Sequence, residues 1–160
     1  MVTIHEYMRT SYRPDCDYVN GVVLERNVGE YNHSRLMGEI LFYYCSRKPQ
    51  RGLWPFVSLR TRVSATRVRV PDVCVVLGRP TEQVLQTPPL ICIEILSSDE
   101  RLPDMQDRVA DYLAFGVPYV WILDPATRQA WRCTSGGTQE VTELRTENPV
   151  TLIPVCDLFE

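Results

Sequence analysis

Two acids stand inside apolar runs of this chain: Asp72 in VRVPDVCVVLG, residues 68–78, and Glu94 in LICIEIL, residues 90–96. An unpaired carboxylate is costly to bury even after relaxation, so each needs a cation, a metal ion or a proton beside it. An edge position or an arginine partner would explain either acid without any chemistry. By strand alternation Val68, Val70, Asp72, Cys74 and Val76 share a face, which puts Asp72 in an otherwise apolar row. Pro71, just before it, withholds a ladder donor and marks an edge or an interruption.

Carboxylates brought together on neighbouring strands repel, and a hard divalent cation with oxygen ligands lets both stay ionised. That favours Mg2+ or Mn2+ over zinc. Such an ion polarises a phosphoryl oxygen and supplies hydroxide near neutral pH, the requirements of phosphodiester hydrolysis. There is no GxSxG, P-loop or GxGxxG pattern to support a serine nucleophile, a nucleotide triphosphate or a dinucleotide.

The elements that must position these residues follow from periodicity. DYVNGVVLER (17–26) holds an NG turn signal before a strand. In YNHSRLMGEILFYYCSR (31–47), Leu36, Met37, Ile40, Leu41 and Tyr44 form one helical stripe. His33 extends that stripe as its inward polar group; a core histidine with satisfied hydrogen bonds is the competing reading. LWPFVSLRTRV (53–63), SATR and the run from 68 to 78 read as two strands of one hairpin. Arg60, Arg62, Arg67 and Arg69 line that ribbon, either as a solvated face or as phosphate contacts.

LICIEIL, a helix within SSDERLPDMQDRVADYLAFG capped by Ser98 or Asp99, and the strand YVWILD (119–124) then form a βαβ unit with parallel strands. Gly116 and Pro118 stop its helix. QAWRCTSGGTQEVTEL reads as a hairpin around SGGT, and TLIPVCDLFE as a short apolar close.

Taken in order, DYVNGVVLERNVGEYNHSRL, VPDVCVVLG, PPLICIEILSS and DMQDRVADYLAFGVPYVWILDP resemble the Uma family of restriction-endonuclease-like proteins, a branch of the PD-(D/E)xK nuclease superfamily. The resemblance covers roughly residues 15–133. It implies an α/β fold of restriction-endonuclease-like architecture: a mixed sheet flanked by helices, built from a helix, a three-strand meander, a crossover helix and a further parallel strand. It also implies that Asp72 and Glu94 bind Mg2+ or Mn2+ with the main-chain carbonyl of Ile95, that DNA is the substrate and that the protein is a homodimer.

The superfamily's usual lysine two residues after the glutamate is absent, because that position is Leu96. The resemblance puts its counterpart on the next helix, at Arg108, four residues before Tyr112. An arginine stays protonated and cannot be a general base, although it can orient water or steady charge on a phosphorane. Arg108 could equally pair with Asp104 or Asp111, and Gln106 is a weaker substitute. His33 resembles a family histidine that approaches the metal, and Glu25 could join the acids or stand in solvent. The missing lysine also admits a second class, a nuclease fold without activity that binds nucleic acid or mediates a dimer.

Bulk properties limit the remaining classes. The 160 residues suit one domain, and 44% hydrophobic with 23% charged residues is ordinary globular composition. No apolar run is long enough to span a membrane, and no secretory signal is evident, so a cytoplasmic location is expected. A net charge of -3 argues against a broad basic coat for nucleic acid. Six dispersed cysteines without a CxxC pair read as reduced, buried small hydrophobes.

Overall fold

The structure, a computed structural model, describes residues 1–26, 29–47 and 52–160. A short helix α1 (Ile4–Met8) precedes the hairpin β1 (Asp17–Val19) and β2 (Val22–Leu24), then helix α2 (Tyr31–Cys45). Strands β3 (Leu53–Val57), β4 (Thr61–Ser64), β5 (Arg67–Arg69), β6 (Val73–Leu77) and β7 (Ile91–Ile95) follow. A 3-10 turn at Leu102–Met105 leads into helix α3 (Gln106–Phe115) and strand β8 (Tyr119–Asp124). The chain closes with β9 (Gln129–Thr134), β10 (Gly137–Val141), β11 (Glu143–Thr146), β12 (Thr151–Pro154) and the short helix α4 (Val155–Leu158).

Six strands form the main sheet in the order β10-β9-β8-β7-β6-β3. Only β7 and β8 run parallel, joined through α3, while the other pairs are antiparallel. The expected meander is therefore β3, β6 and β7, and the sheet is mixed. Both faces are covered, which is why ICIEI and VWIL are almost wholly apolar. On one face Leu36, Ile40 and Tyr44 of α2 join Val73, Val75, Ile91, Ile93, Ile95 and Trp121. On the other, Met105, Val109 and Tyr112 meet Cys74, Cys92, Leu96, Val120 and Ile122. Burying each such aliphatic side chain contributes roughly 1.5–3 kcal/mol.

The single hairpin expected over 53–78 is in fact two nested pairs in different sheets. β3 pairs with β6 in the main sheet, whereas β4 pairs with β5 in a four-stranded sheet ordered β2-β1-β5-β4. The chain leaves the main sheet at Ser58, which takes φ 51, and returns through Pro71 and Asp72, where the Ser58 amide donates to the Asp72 carbonyl at 3.3 Å. The five-residue row through Asp72 therefore does not form. Asp72 occupies the corner between two sheets, just ahead of β6.

Two smaller expectations also change. Ser98 and Asp99 do not cap the crossover helix: the Arg101 amide donates to Asp104 at 2.7 Å instead, and Ser98 Oγ donates to Glu30 at 2.6 Å. Pro103 sits in the 3-10 turn, where its missing N–H costs nothing. Cys45 and Cys156 are exposed, whereas Cys16, Cys74, Cys92 and Cys133 are buried thiols as read. At the other end of α3, Gly116 takes φ 100 and its amide donates to the carbonyls of Tyr112 and Leu113, a left-handed stop that aims the chain into β8. The hairpin around SGGT forms between β9 and β10, and the NG turn joins β1 to β2. Among the described residues no helix is long and apolar enough to cross a membrane.

Candidate active site

Asp72 and Glu94 converge because β6 and β7 pair with Val73 opposite Ile93, which brings the corner before β6 beside the end of β7. The Ile95 amide donates to Asp72 Oδ2 at 2.8 Å, so the end of the glutamate strand holds the aspartate directly. His33, in the first turn of α2, places Nε2 3.3 Å from the same oxygen. Asp72 Oδ1 accepts from Arg26 Nη2 at 2.6 Å. That same nitrogen lies 3.6 Å from Glu94 Oε2, so one guanidinium stands between the two acids.

Glu94 is 1% exposed. Its Oε1 accepts from the Tyr112 hydroxyl at 2.5 Å, a donor delivered by the buried face of α3. Its Oε2 has no hydrogen-bond partner among the described residues, although Arg108 Nη1 stands 3.8 Å away. Arg26 Nη1 and His33 Nδ1 are likewise buried without a partner. Three unmet polar atoms thus collect in one place, unlike the satisfied groups of an ordinary core.

Arg108 is fixed from behind: its Nε donates to Asp17 Oδ2 at 3.0 Å. Asp17 is itself buried, accepting from the Val70 amide at 3.0 Å and from Arg69 Nη1 at 3.1 Å. Arg69 also donates to Asp111 at 2.7 Å and Asp107 at 2.6 Å. Acidic and basic groups therefore alternate from Asp111 through Arg69, Asp17, Arg108, Glu94 and Arg26 to Asp72 and His33.

This environment separates the two acids electrostatically. Burial, reinforced by the charge of Asp72, pushes the Glu94 carboxyl up to about 8 against the pull of Arg26, Arg108 and Tyr112. Burial also pushes on Asp72, but the hydrogen bond from His33, the Arg26 charge and the Ile95 amide prevail and hold it below its ordinary value. For His33, burial acts downward, yet the bond and charge of Asp72 raise it overall. One carboxylate is thus stabilised ionised and the other protonated.

Of the residues expected from sequence, Asp72, Glu94, His33 and Arg108 meet here, and Ile95 does so through its amide. Glu25 and Gln106 are exposed and stand apart. Arg108 pairs with neither Asp104 nor Asp111; the latter is taken by Arg67 and Arg69. The four ribbon arginines form no solvated face: Arg60 pairs with Asp15, Arg62 turns back onto the Ser64 and Ala65 carbonyls, and Arg67 and Arg69 bind α3. Sequence reasoning missed Arg26, Asp17 and the Tyr112 hydroxyl. One signal was available by counting, since Lys48, outside the described residues, is the only lysine in the sequence. Any other basic partner for a buried acid had to be arginine or histidine.

Two clefts reach the site, with His33 on the wall of both. One of about 180 Å³ is lined by Asp15, Arg26, His33, Ser58 and Asp72; the other, about 70 Å³, by Glu30, Asn32, Ser97, Ser98 and Asp124.

A mixed sheet covered by a helix on each face, with acids meeting where its antiparallel strands end, defines a restriction-endonuclease-like α/β protein. The chain belongs to the Uma2 family, described as "Putative restriction endonuclease", whose profile matches residues 5–160. It is also similar to a solved structure described as a "putative nuclease belonging to DUF820" from Anabaena variabilis ATCC 29413. The two share 22% identity and a TM-score of 0.84, covering 99% of this chain and 98% of the other. No curated protein matches significantly.

Proposed function

We propose that this chain is a divalent-metal-dependent endonuclease that hydrolyses DNA phosphodiester bonds at the Asp72–Glu94 site. The observation that carries this reading is the convergence of two buried acids, one keeping an oxygen without a partner, in a chain of this family. Among the described residues no three acid, thiol or imidazole side chains form a ready-made cage. The donor set instead suits an ion that needs one or two carboxylates and keeps its waters, as Mg2+ does. Asp72 and Glu94, with the Ile95 carbonyl, would hold Mg2+ or Mn2+, which supplies charge for the phosphate and acidity for a water.

The chain's own groups divide the remaining work. Arg108, clamped by Asp17, presents a permanent positive charge beside Glu94 and steadies negative charge growing on the phosphate. It exchanges no proton. His33 borders both clefts with an unpartnered Nδ1 and can orient the attacking water or carry a proton away. A homodimer belongs to the same reading and is checked by sedimentation.

Plasmid nicking in Mg2+ or Mn2+ tests the assignment. Asp72→Ala and Glu94→Ala should each lose at least about 10²-fold of the parent rate, the scale on which essential charge-stabilising groups act. Undiminished nicking by Asp72→Ala would overturn it. One observation favours a second reading, a non-catalytic nucleic-acid-binding or dimeric module: the space between the acids is held by Arg26. Calorimetric titration with Mn2+ separates the two, because the module should show no saturable binding that depends on both acids.

A further inference from the structure

We infer that Arg26 is a built-in counter-cation that holds the place of the divalent ion and leaves it when the ion binds. The inference rests on the metal-dependent reading above. Arg26 Nη2 is 2.6 Å from Asp72 and 3.6 Å from Glu94, a bridging position between the acids that would share an ion.

Its bonding is that of a lodger rather than a structural arginine. Arg69 shows what a structural one looks like here: Nε, Nη1 and Nη2 each donate to a different carboxylate. Among the described residues Arg26 Nη1 is buried without a partner, and the Glu94 oxygen nearest to Arg26 is also unmet. Its hydrogen bond goes to Asp72 alone, and at 3.6 Å it holds Glu94 by charge rather than by a fitted hydrogen bond. An ion with two positive charges would balance both carboxylates where one guanidinium balances one.

The fold also gives Arg26 somewhere to go. It lies beyond the end of β2, an outer strand of the four-stranded sheet, in the connection to α2 rather than within a ladder. The cleft of about 180 Å³ that it lines offers room for a displaced side chain, beside the Asp15 carboxylate that Arg60 already holds. The resting site is consequently closed and neutralised internally, and ion affinity is set by the cost of moving Arg26.

The test is Mn2+ titration by calorimetry on the full chain and on Arg26→Met, with thermal melts in EDTA and in Mn2+. Arg26→Met should bind Mn2+ at least tenfold more tightly than the parent. Its Tm in EDTA at pH 8 should fall below the parent's, and Mn2+ should raise it by more than it raises the parent's. A variant that folds only with Mn2+ shows the same linkage at its limit. The parent then supplies the second measurement: the Arg26 Nε–H resonance, assigned through Arg26→Lys, should shift on Mg2+ addition while that of Arg69 does not.

Equal or weaker Mn2+ binding by a folded Arg26→Met overturns the inference, as does an unmoved Arg26 resonance at saturating Mg2+. If the parent's Mn2+ binding disappears in Asp72→Ala but Arg26→Met gains nothing, only the role of Arg26 falls. If neither protein binds Mn2+, the metal-dependent reading falls with it.

Discussion

Glu94→Gln should change how stability depends on pH more than it changes stability at any one acidic pH. Burial raises the folded-state pKa of Glu94 from an ordinary 4.5 to about 8. Between those values the folded chain binds more protons at this position than the unfolded chain, so stability falls as pH rises through the interval. The slope approaches roughly 1.4 kcal/mol per pH unit, which bounds the whole effect at about 5 kcal/mol. Glutamine resembles the protonated acid, keeps an oxygen for the Tyr112 hydroxyl and cannot ionise. His33 imposes a slope of its own: its raised value stabilises the fold below about 6.5, and that contribution is lost as pH rises through the folded value. Both proteins carry His33, so what remains of it in the difference is the part that comes from the charge of Glu94. Urea denaturation of the parent and Glu94→Gln at intervals from about pH 5 to 9, in EDTA, isolates Glu94. The stability difference should move steadily toward the glutamine variant up to about pH 8 and flatten above it. Parallel pH profiles would refute the placement of an unmatched carboxylate in this site.

Tyr112→Phe removes the donor to Glu94 Oε1 and should cost about 1–3 kcal/mol in urea melts, while moving the Glu94 titration to higher pH. Asp17→Asn strips the charge that Arg69 and Arg108 share, for an expected loss of about 3–5 kcal/mol by the same assay. Arg108→Met should fold and lose about 10²-fold in plasmid nicking, whereas Arg108→Lys should recover much of it, because position and charge matter there and not proton transfer.

The acids were legible because each interrupts an apolar pattern, and an exception to a pattern is what a sequence displays best. His33 followed from helical phase, and Arg108 from resemblance. Arg26, Asp17 and the Tyr112 hydroxyl were not legible, for a common reason: they matter through partners far away along the chain. Arg26 meets an acid 46 residues away, Arg108 meets Asp17 across 91, and Tyr112 was one more apolar member of a stripe. Nothing local marks such pairings. The main sheet was read correctly where both of its faces are apolar. The ribbon over 53–78 was misread because a strand that changes sheet keeps its alternation through the corner, and only Pro71 hinted at the break.

The alternating run of acidic and basic groups from Asp111 to His33 has an evolutionary consequence. Neutralising one member leaves its neighbour as an odd charge inside the protein, so single replacements are penalised even where neither residue does chemistry. Change along the run is tolerable mainly in opposite-sign pairs, and a sequence that gains a new cation at one position is released from keeping another.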